Sequence, residues 1–87
     1  MEYVLSKHFE KQFAKLPRNV KTKALVAFEM FVEDPEAVVL RNHALAGTWN
    51  GYRSINMTGN VRAVYTQVNK AVVRFVAIGT HGELYGL

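Results

Sequence analysis

Two histidines, two arginines and a late tyrosine in this sequence have the chemistry of an active site: His43, Arg53, Arg62, His81 and Tyr85. Histidine suits proton transfer because its unperturbed pKa lies near neutral pH. Arginine keeps its charge, and its planar fork matches two phosphate oxygens. Tyrosine can stack on a splayed base or donate a proton. Together these groups fit metal-free RNA cleavage, in which a 2′-hydroxyl loses a proton, a phosphorane is stabilised and the departing 5′-oxygen gains a proton.

Each of these residues also has an ordinary structural explanation. A histidine beside a turn is commonly a surface or hydrogen-bonded residue, and Arg53 and Arg62 could simply line an exposed sheet face. Trp49 and Tyr52 fit packing anchors that fasten this segment to the core. The acidic residues do not form the carboxylate cluster of a two-metal nuclease, and the chain has no cysteine. We therefore expect neither a metal nor a cofactor, while spacing alone leaves the structural and catalytic interpretations open.

The charge of the chain is positive and unevenly distributed. Eleven Lys and Arg residues against seven Asp and Glu residues give a formal charge of +4. The excess is concentrated near the N-terminus, in Lys7, Lys11, Lys15, Arg18, Lys21 and Lys23. Such a cluster indicates a polyanion such as nucleic acid, or an acidic protein, as a partner. The alternative is a set of solvated helix faces.

The length and hydropathy of the chain predict a single packed domain over residues 1–87, because 87 residues rarely divide into two independent cores. No apolar run approaches the roughly 18 to 20 residues of a membrane span. The N-terminal residues MEYVLSKHFEK lack the apolar centre of a signal peptide. We therefore expect a cytoplasmic protein without a membrane contact.

The N-terminal part of the chain predicts a short strand followed by two amphipathic helices. Residues 2–6 form the strand, and Ser6 is placed to cap a helix over residues 7–16. Pro17 ends this helix, and a second helix runs over residues 18–33. Apolar residues recur at helical spacing in both: Phe9, Phe13, Leu16, Val20, Ala24, Leu25, Phe28, Phe31 and Val32. The helices therefore form a hairpin with one apolar side.

After residue 35 the pattern changes to short β-branched and aromatic segments. GYRSINM, VRAVYTQV and AVVRFVAIG predict three antiparallel strands joined by tight turns. In the first, Ile55 and Met57 alternate with polar residues, so one sheet face is buried and the other is polar. The sequence thus predicts an α+β fold in which an N-terminal strand and a two-helix hairpin pack on one face of a mainly antiparallel sheet. The opposite face is left to hold a polar cleft.

Four segments together resemble the RelE/ParE superfamily of bacterial toxins, and most closely its YafQ-like branch. They are the opening strand with its two basic helices, HALAGTWNGYRSINM, VRAVY and VAIGTHGELYG. The patterns H-x-L-x-G-x-W-x-G-Y-R and G-x-H-x-[DE]-L-[FY] are specific in combination, and the matching segments cover nearly the whole chain. The resemblance implies a toxin of a type II toxin–antitoxin pair that cuts mRNA on the ribosome and is neutralised by a small antitoxin protein.

The resemblance also implies which residues form the site. His43 matches a histidine of the YafQ-like site, His81 matches its late histidine and Tyr85 matches its terminal aromatic residue. Arg62 matches an arginine that precedes a tyrosine in RelE-type sites, which also have basic residues near Arg53. The predicted catalytic residues are therefore His43, Arg62, His81 and Tyr85. The predicted RNA-binding residues are Lys7, Lys11, Lys15, Lys21, Arg53 and Asn56.

Three positions depart from the YafQ-like pattern. Asn56 stands where that branch has a histidine, Asn60 where it has an aspartate and Ala77 where it has an arginine. Two candidate proton carriers are therefore missing, and Asn56 cannot replace them at neutral pH because an amide does not titrate. His81 in turn stands where RelE-type sites have an arginine. The sequence combines two site layouts.

Two other functions remain as alternatives. The ParE-like branch shares the fold and poisons DNA gyrase, and a decayed toxin would only bind its antitoxin. The expected partners of a toxin are the antitoxin, the ribosome and mRNA, and the toxin–antitoxin complex could bind operator DNA through the antitoxin. An acidic antitoxin segment could fold on the basic helices or on the polar sheet face.

Overall fold

The computed structural model describes residues 1–86 and contains a five-stranded sheet with two long helices on one face. Its elements are β1 (Glu2–Leu5), α1 (Lys7–Ala14), α2 (Arg18–Glu33), β2 (His43–Ala44), β3 (Arg53–Thr58), β4 (Val61–Gln67), β5 (Val72–Thr80) and α3 (His81–Tyr85). Single 3₁₀ turns, Val38–Leu40 and Gly47–Trp49, flank β2. The strand order is β1-β5-β4-β3-β2, with β1 parallel to β5 and the other pairs antiparallel. The predicted α+β fold is confirmed.

Local signals set the ends of the two long helices. The Ser6 hydroxyl accepts a hydrogen bond from the Phe9 amide at 3.0 Å, which confirms the predicted cap of α1. This helix ends at Ala14, short of the predicted residue 16, because Lys15 and Leu16 bond to carbonyls three residues back just before Pro17. The second helix spans the predicted residues.

An aromatic cluster joins both helices to the same face of the sheet. Phe9 of α1 and Phe28 of α2 contact Phe75 of β5, with ring centroids 5.8 and 5.0 Å away. Phe31 of α2 lies 5.1 Å from Tyr65 of β4. Edge-on and tilted pairs of this kind add about 0.5–1.5 kcal/mol each beyond the burial of apolar area. The predicted packing of the hairpin on one side of the sheet is therefore observed.

The apolar stripe of α2 is narrower than the sequence predicted. Leu25 is 53% exposed and Val32 is 39% exposed, although both were expected to pack inward. Each directly follows a buried residue, Ala24 or Phe31, and successive helical residues are rotated by about 100°. The sheet covers only the side that carries the preceding residues. Across residues 1–86, no helix combines the length and the apolar character needed to cross a bilayer.

Strand register divides the sheet residues between two faces. The face under the helices, here called the covered face, carries Ile55, Ala63, Tyr65, Val73, Phe75 and Ile78. The opposite face, here called the cleft face, carries His43, Ser54, Asn56, Arg62, Val64, Thr66, Arg74, Ala77 and Gly79. Directly paired residues of antiparallel strands share a face, and side chains alternate along each strand. The polar face predicted from the sequence is therefore present in part, because the buried residues Val64 and Ala77 interrupt its polar side chains.

A bulge in β5 changes which of its residues belong to each face. Tyr65 pairs with Phe75 while the preceding Val64 pairs with Ala77, so Val76 has no partner in β4. The extra residue reverses the alternation, as bulges do. As a result Phe75 lies on the covered face, whereas Ala77, two residues later, lies on the cleft face. Regular alternation would have put both on the same side.

Candidate active site

The C-terminal helix α3 folds back over the cleft face immediately after β5. The Thr80 hydroxyl accepts a hydrogen bond from the Glu83 amide at 3.2 Å. The Glu83 carboxylate in turn accepts a hydrogen bond from the Thr80 amide at 2.7 Å, and the two bonds form a capping box. Hydrogen bonds from Thr80 stabilise the charged form of Glu83 and lower its pKa below the ordinary value. The backbone amide of Thr80 contributes most, and its hydroxyl contributes less. The His81 amide donates to the Asn60 carbonyl at 3.1 Å. These bonds tie the start of the helix to the β3–β4 turn.

Small residues on β5 leave room for α3. Gly79 and Ala77 face the cleft side opposite Arg62 and Val64 of β4. A Cβ atom on Gly79 would lie 3.0 Å from the Glu83 carboxylate, so a larger side chain there would displace the cap. Ala77 and Val64 are buried even though they lie away from the two long helices. The centre of the cleft face is thus covered, and only its rim is open.

Tyr85 reaches across the sheet from α3 to β3. Its hydroxyl donates to the Ser54 hydroxyl at 3.0 Å, and Ser54 pairs directly with His43 of β2. Directly opposed residues have Cβ atoms roughly 4.5–5.5 Å apart. The Tyr85 ring also packs edge-on against the His81 ring, with centroids 4.7 Å apart. His43, Tyr85 and His81 therefore lie in one continuous row.

A backbone contact selects one tautomer of the neutral His43 ring. Its Nδ1 lies 2.8 Å from the Arg41 carbonyl oxygen, which can only accept a hydrogen bond. In the neutral ring the proton must therefore sit on Nδ1, and Nε2 is left with a free lone pair. Because His43 is exposed, this lone pair can meet a substrate. The arrangement suits a general base.

Arg62 joins the row at the β3–β4 turn. Its Nη1 donates to the Gly59 carbonyl at 3.0 Å, next to the Asn60 carbonyl that binds the His81 amide. Since adjacent Cα atoms are about 3.8 Å apart, the Arg62 guanidinium and the start of α3 are held at the same turn. Asn56 pairs directly with Arg62 and lies on the same face. The structure therefore brings Arg62, Asn56, His81, Tyr85 and His43 together.

The predicted RNA-binding residue Arg53 lies on the other side of the sheet. It pairs with Tyr65 and shares the covered face. Its Nε donates to the Asn42 side-chain carbonyl at 2.7 Å, and the Asn42 amide donates to the Tyr65 hydroxyl at 2.7 Å and to the Pro35 carbonyl at 3.0 Å. This network fastens the segment after α2 to the sheet. Arg53 and Arg62, which the sequence analysis groups among the candidate site residues, therefore lie on opposite faces of the sheet.

The four predicted RNA-binding lysines also lie away from the cleft face. They belong to α1, α2 and the short link between them, on the layer that covers the opposite side of the sheet, and they are Lys7, Lys11, Lys15 and Lys21. The first three are exposed and Lys21 is partly so. Lys15 lines a small cavity together with Gly79 and Glu83. They form a basic surface separate from the row of site residues.

Sequence reasoning gave Trp49 a different role and missed Ser54. Trp49 is outside the buried core cluster, and its indole Nε1 donates to the Leu84 carbonyl of α3 at 3.1 Å. It packs edge-on against Tyr52 with ring centroids 5.4 Å apart. It therefore clamps α3 rather than fastening the segment to the core. A signal for Ser54 was its position between Arg53 and Ile55, which put it on the predicted polar face.

Two of the substituted positions also border the site. Asn60 contributes its backbone carbonyl to the start of α3, a contact that any residue could make. Ala77 lies beneath α3, where its small size matters. Within residues 1–86, no three histidine, aspartate or glutamate side chains are grouped so that they could hold a metal ion.

The sheet and the helix hairpin on its covered face form a RelE/ParE-like fold. The structure matches that of YafQ from Escherichia coli with a TM-score of 0.78 at 22% identity, over 98% of both chains. It matches the YoeB/ParE toxin from Agrobacterium tumefaciens with a TM-score of 0.74 at 18% identity, over 93% of this chain and 99% of that one. It also matches one chain of the E. coli DinJ–YafQ complex with a TM-score of 0.70 at 25% identity, over 98% of this chain and 98% of that one.

Comparison of the amino-acid sequence points to one family within this fold. Over 52 residues the chain is 35% identical to the mRNA interferase toxin YafQ of Escherichia coli. The aligned segment covers 60% of this chain and 55% of that protein. Residues 1–86 match the family described as "Bacterial toxin of type II toxin-antitoxin system, YafQ". The chain belongs to this family of toxins.

Proposed function

We propose that the chain is a ribosome-dependent mRNA endoribonuclease whose active site is the row of residues on the cleft face. The observation that carries the proposal is that His43, Tyr85 and His81 lie in one row with Arg62 at its end, linked by the contacts at Ser54 and at the β3–β4 turn. The curated relative that shares part of the sequence is an mRNA interferase. The geometry supplies the groups that metal-independent cleavage of a ribose-phosphate linkage needs.

The proposed reaction begins at His43. Its Nε2 takes the proton of the ribose 2′-hydroxyl, whose oxygen then bonds to the adjacent phosphorus. Arg62 releases the Gly59 carbonyl and donates to the phosphorane oxygens, where its fixed charge is most effective. The bond between phosphorus and the 5′-oxygen breaks, and that oxygen receives a proton from His81 or Tyr85. The Asn56 amide, paired with Arg62, can donate to a ribose or phosphate oxygen.

The basic helical layer supports the dependence on the ribosome. Lys7, Lys11 and Lys15 are exposed on the helical layer, and the chain carries a formal charge of +4. A surface of this kind can bind ribosomal RNA through its phosphates while the cleft face meets the mRNA. Arg53 would contribute to this only through the part of its side chain that is exposed. Such a reaction takes place in the cytoplasm, where the ribosomes are.

We further propose that an antitoxin protein neutralises the chain. Solved complexes of similar toxins with their antitoxins support this proposal. Apolar side chains left exposed on α2 and the following turn, Leu25, Val26 and Val39, give a partner a surface to cover. Operator DNA would be bound through the antitoxin. Co-purification of the toxin with the product of an adjacent gene tests this part.

The enzymatic proposal is tested with purified toxin, ribosomes and mRNA, followed by sequencing of RNA 5′ ends. We expect cuts only when ribosomes are present, and a loss of about 10²–10⁴-fold in cleavage rate for His43→Ala, the range for a lost general base. His8→Ala removes an exposed imidazole on α1 and is the matched control for His43. Arg74→Ala is the control for Arg62→Ala, since Arg74 is an exposed arginine on the same face, near the end of β5 that lies away from α3. Intact mRNA with trapped gyrase–DNA complexes would instead identify a gyrase poison.

A further inference from the structure

Ser54 is a buried hydroxyl at the centre of the cleft face that the reaction scheme above does not use. Among residues 1–86 it is the one polar or charged residue that is fully buried, at 0% exposure. It lies between His43 of β2 and Val64 of β4 in the strand register, and it accepts the Tyr85 hydroxyl at 3.0 Å. Buried polar groups need such partners. The two hydroxyls therefore satisfy each other under α3.

A serine hydroxyl can be either the acceptor or the donor in this hydrogen bond, because it carries one proton and two lone pairs. In the structure the phenol donates, so its proton is engaged by Ser54 and its oxygen is held over β3. When the phenol proton turns toward a substrate oxygen, the serine can rotate and donate to the phenol oxygen. Alanine at this position could do neither.

The position of Tyr85 depends on few contacts. Helix α3 has five residues, and a helix of that length is not stable by itself. After its capped first turn, it is held by the Trp49 indole on the Leu84 carbonyl and by the Tyr85–Ser54 bond. The first contact fixes the backbone of the helix, whereas the second fixes the phenol oxygen. Ser54 therefore controls where the reactive atom of Tyr85 lies.

We propose that Ser54 is a positioning residue for RNA cleavage, which holds the Tyr85 phenol beside His43 and donates a hydrogen bond to the phenolate formed when Tyr85 protonates the departing 5′-oxygen. The inference rests on the ribonuclease function proposed above. His43 Nε2 takes the 2′-hydroxyl proton, the 2′-oxygen bonds to phosphorus, and the phosphorus–5′-oxygen bond breaks. The 5′-oxygen takes the phenol proton. The proton on His43 returns to the phenolate through water, so both groups are restored.

The test measures cleavage of ribosome-bound mRNA as a function of the concentration of the ribosome–mRNA complex. We expect Ser54→Ala to lower kcat about 10- to 100-fold, the loss expected for a misplaced catalytic group, with KM nearly unchanged. Ser54→Thr keeps the hydroxyl and should recover most of kcat. Thr66→Val is the control, because it removes a hydroxyl that bonds to the Gly51 carbonyl on the same face. A Ser54→Ala variant that raises KM alone would overturn the proposal.

A double-mutant cycle separates positioning from general loosening of the fold. In a Tyr85→Phe background the phenol proton is absent, so Ser54→Ala should have almost no further effect on kcat. Additive losses would show that Ser54 does not act through Tyr85. NMR of the free toxin should also show a slowly exchanging Tyr85 hydroxyl proton that disappears in Ser54→Ala. If the wild-type toxin shows this proton but cuts no RNA, the proposed ribonuclease function is wrong although the Ser54–Tyr85 hydrogen bond exists.

Discussion

On the covered face of β3 and β4, Ile55, Ala63 and Tyr65 are at most 4% exposed, whereas on the cleft face Asn56 and Arg62 remain partly open to solvent. Both sets come from the same two strands, and successive residues alternate between them. The covered face is joined to the helices by aromatic rings. On the cleft face, Ser54 is joined to Tyr85 of α3 by a hydrogen bond.

Neighbouring residues of one strand therefore serve different purposes: one contributes to the stability of the fold, and the next is available for chemistry. On the covered face a change of side chain alters packing against α1 and α2, so its cost is paid in folding. On the cleft face a change alters proton donors and acceptors that face solvent or the small helix α3. Ser54 is the exception among the polar residues of this face, since it is buried like a core residue but bonded to a site residue. Substitutions on the two faces should therefore have separable effects.

The largest effect is expected from Phe75→Ala on the covered face. Phe75 is 0% exposed and contacts rings from both long helices, so its removal should lower the free energy of unfolding by about 3–5 kcal/mol. Urea denaturation followed by circular dichroism measures this. Arg62→Ala, on the cleft face of the adjacent strand, should change the same quantity by less than about 0.5 kcal/mol. Equal destabilisation by both would mean that the faces are not separable.

A smaller effect is expected from Arg53→Ala, which compares the two arginines that the sequence placed in one site. Loss of the bond to Asn42 should lower the free energy of unfolding by about 1.5–3 kcal/mol, as for hydrogen bonds to charged groups. Its rate of mRNA cleavage, measured on folded protein, should fall far less than that of Arg62→Ala. If Arg53→Ala instead loses cleavage while its stability is unchanged, Arg53 belongs to the RNA site.

The smallest effect is expected from the cap of α3 at low pH. Because the pKa of Glu83 is lowered in the folded state, its contribution is complete above the ordinary value of 4.5. It decreases as the pH falls below that value, and it is lost once the pH passes the folded pKa. Fluorescence of Trp49, the single tryptophan and a donor to α3, should report the change. Glu83→Gln accepts the same hydrogen bond without titrating and should remove this pH dependence; a persistent transition would assign it to another group.

Local signals in the sequence were enough for the long elements. The Ser6 cap and the helix over residues 18–33 depend on contacts within a few residues, and both are observed. The strands were located to within a few residues because β-branched runs and turn residues mark them. The same alternation put Arg53 on the side of Ile55, and the structure agrees with it. Grouping Arg53 with the site relied on its charge and on the resemblance, which outweighed the register.

The short elements could not be predicted in the same way. β2 has two residues and α3 has five, so neither carries enough periodic pattern to stand out. β2 exists because His43 and Ala44 pair with β3, and α3 exists where its capping box coincides with contacts to Trp49 and Ser54. These contacts join residues far apart in the chain. Sequence reasoning could expect the site residues to converge, but it could not say through which atoms.

The amino-acid sequence by itself determined the class of fold, the two helices and the set of side chains available for chemistry, because caps, hydrophobic period and residue type are local properties. Only the tertiary structure decided which of those side chains share a face. The bulge at Val76 puts Ala77 and Gly79 under α3, and the Ser54 hydroxyl places Tyr85 next to His43. Strand register and long-range hydrogen bonds are set by packing of the whole chain, so no single segment encodes them.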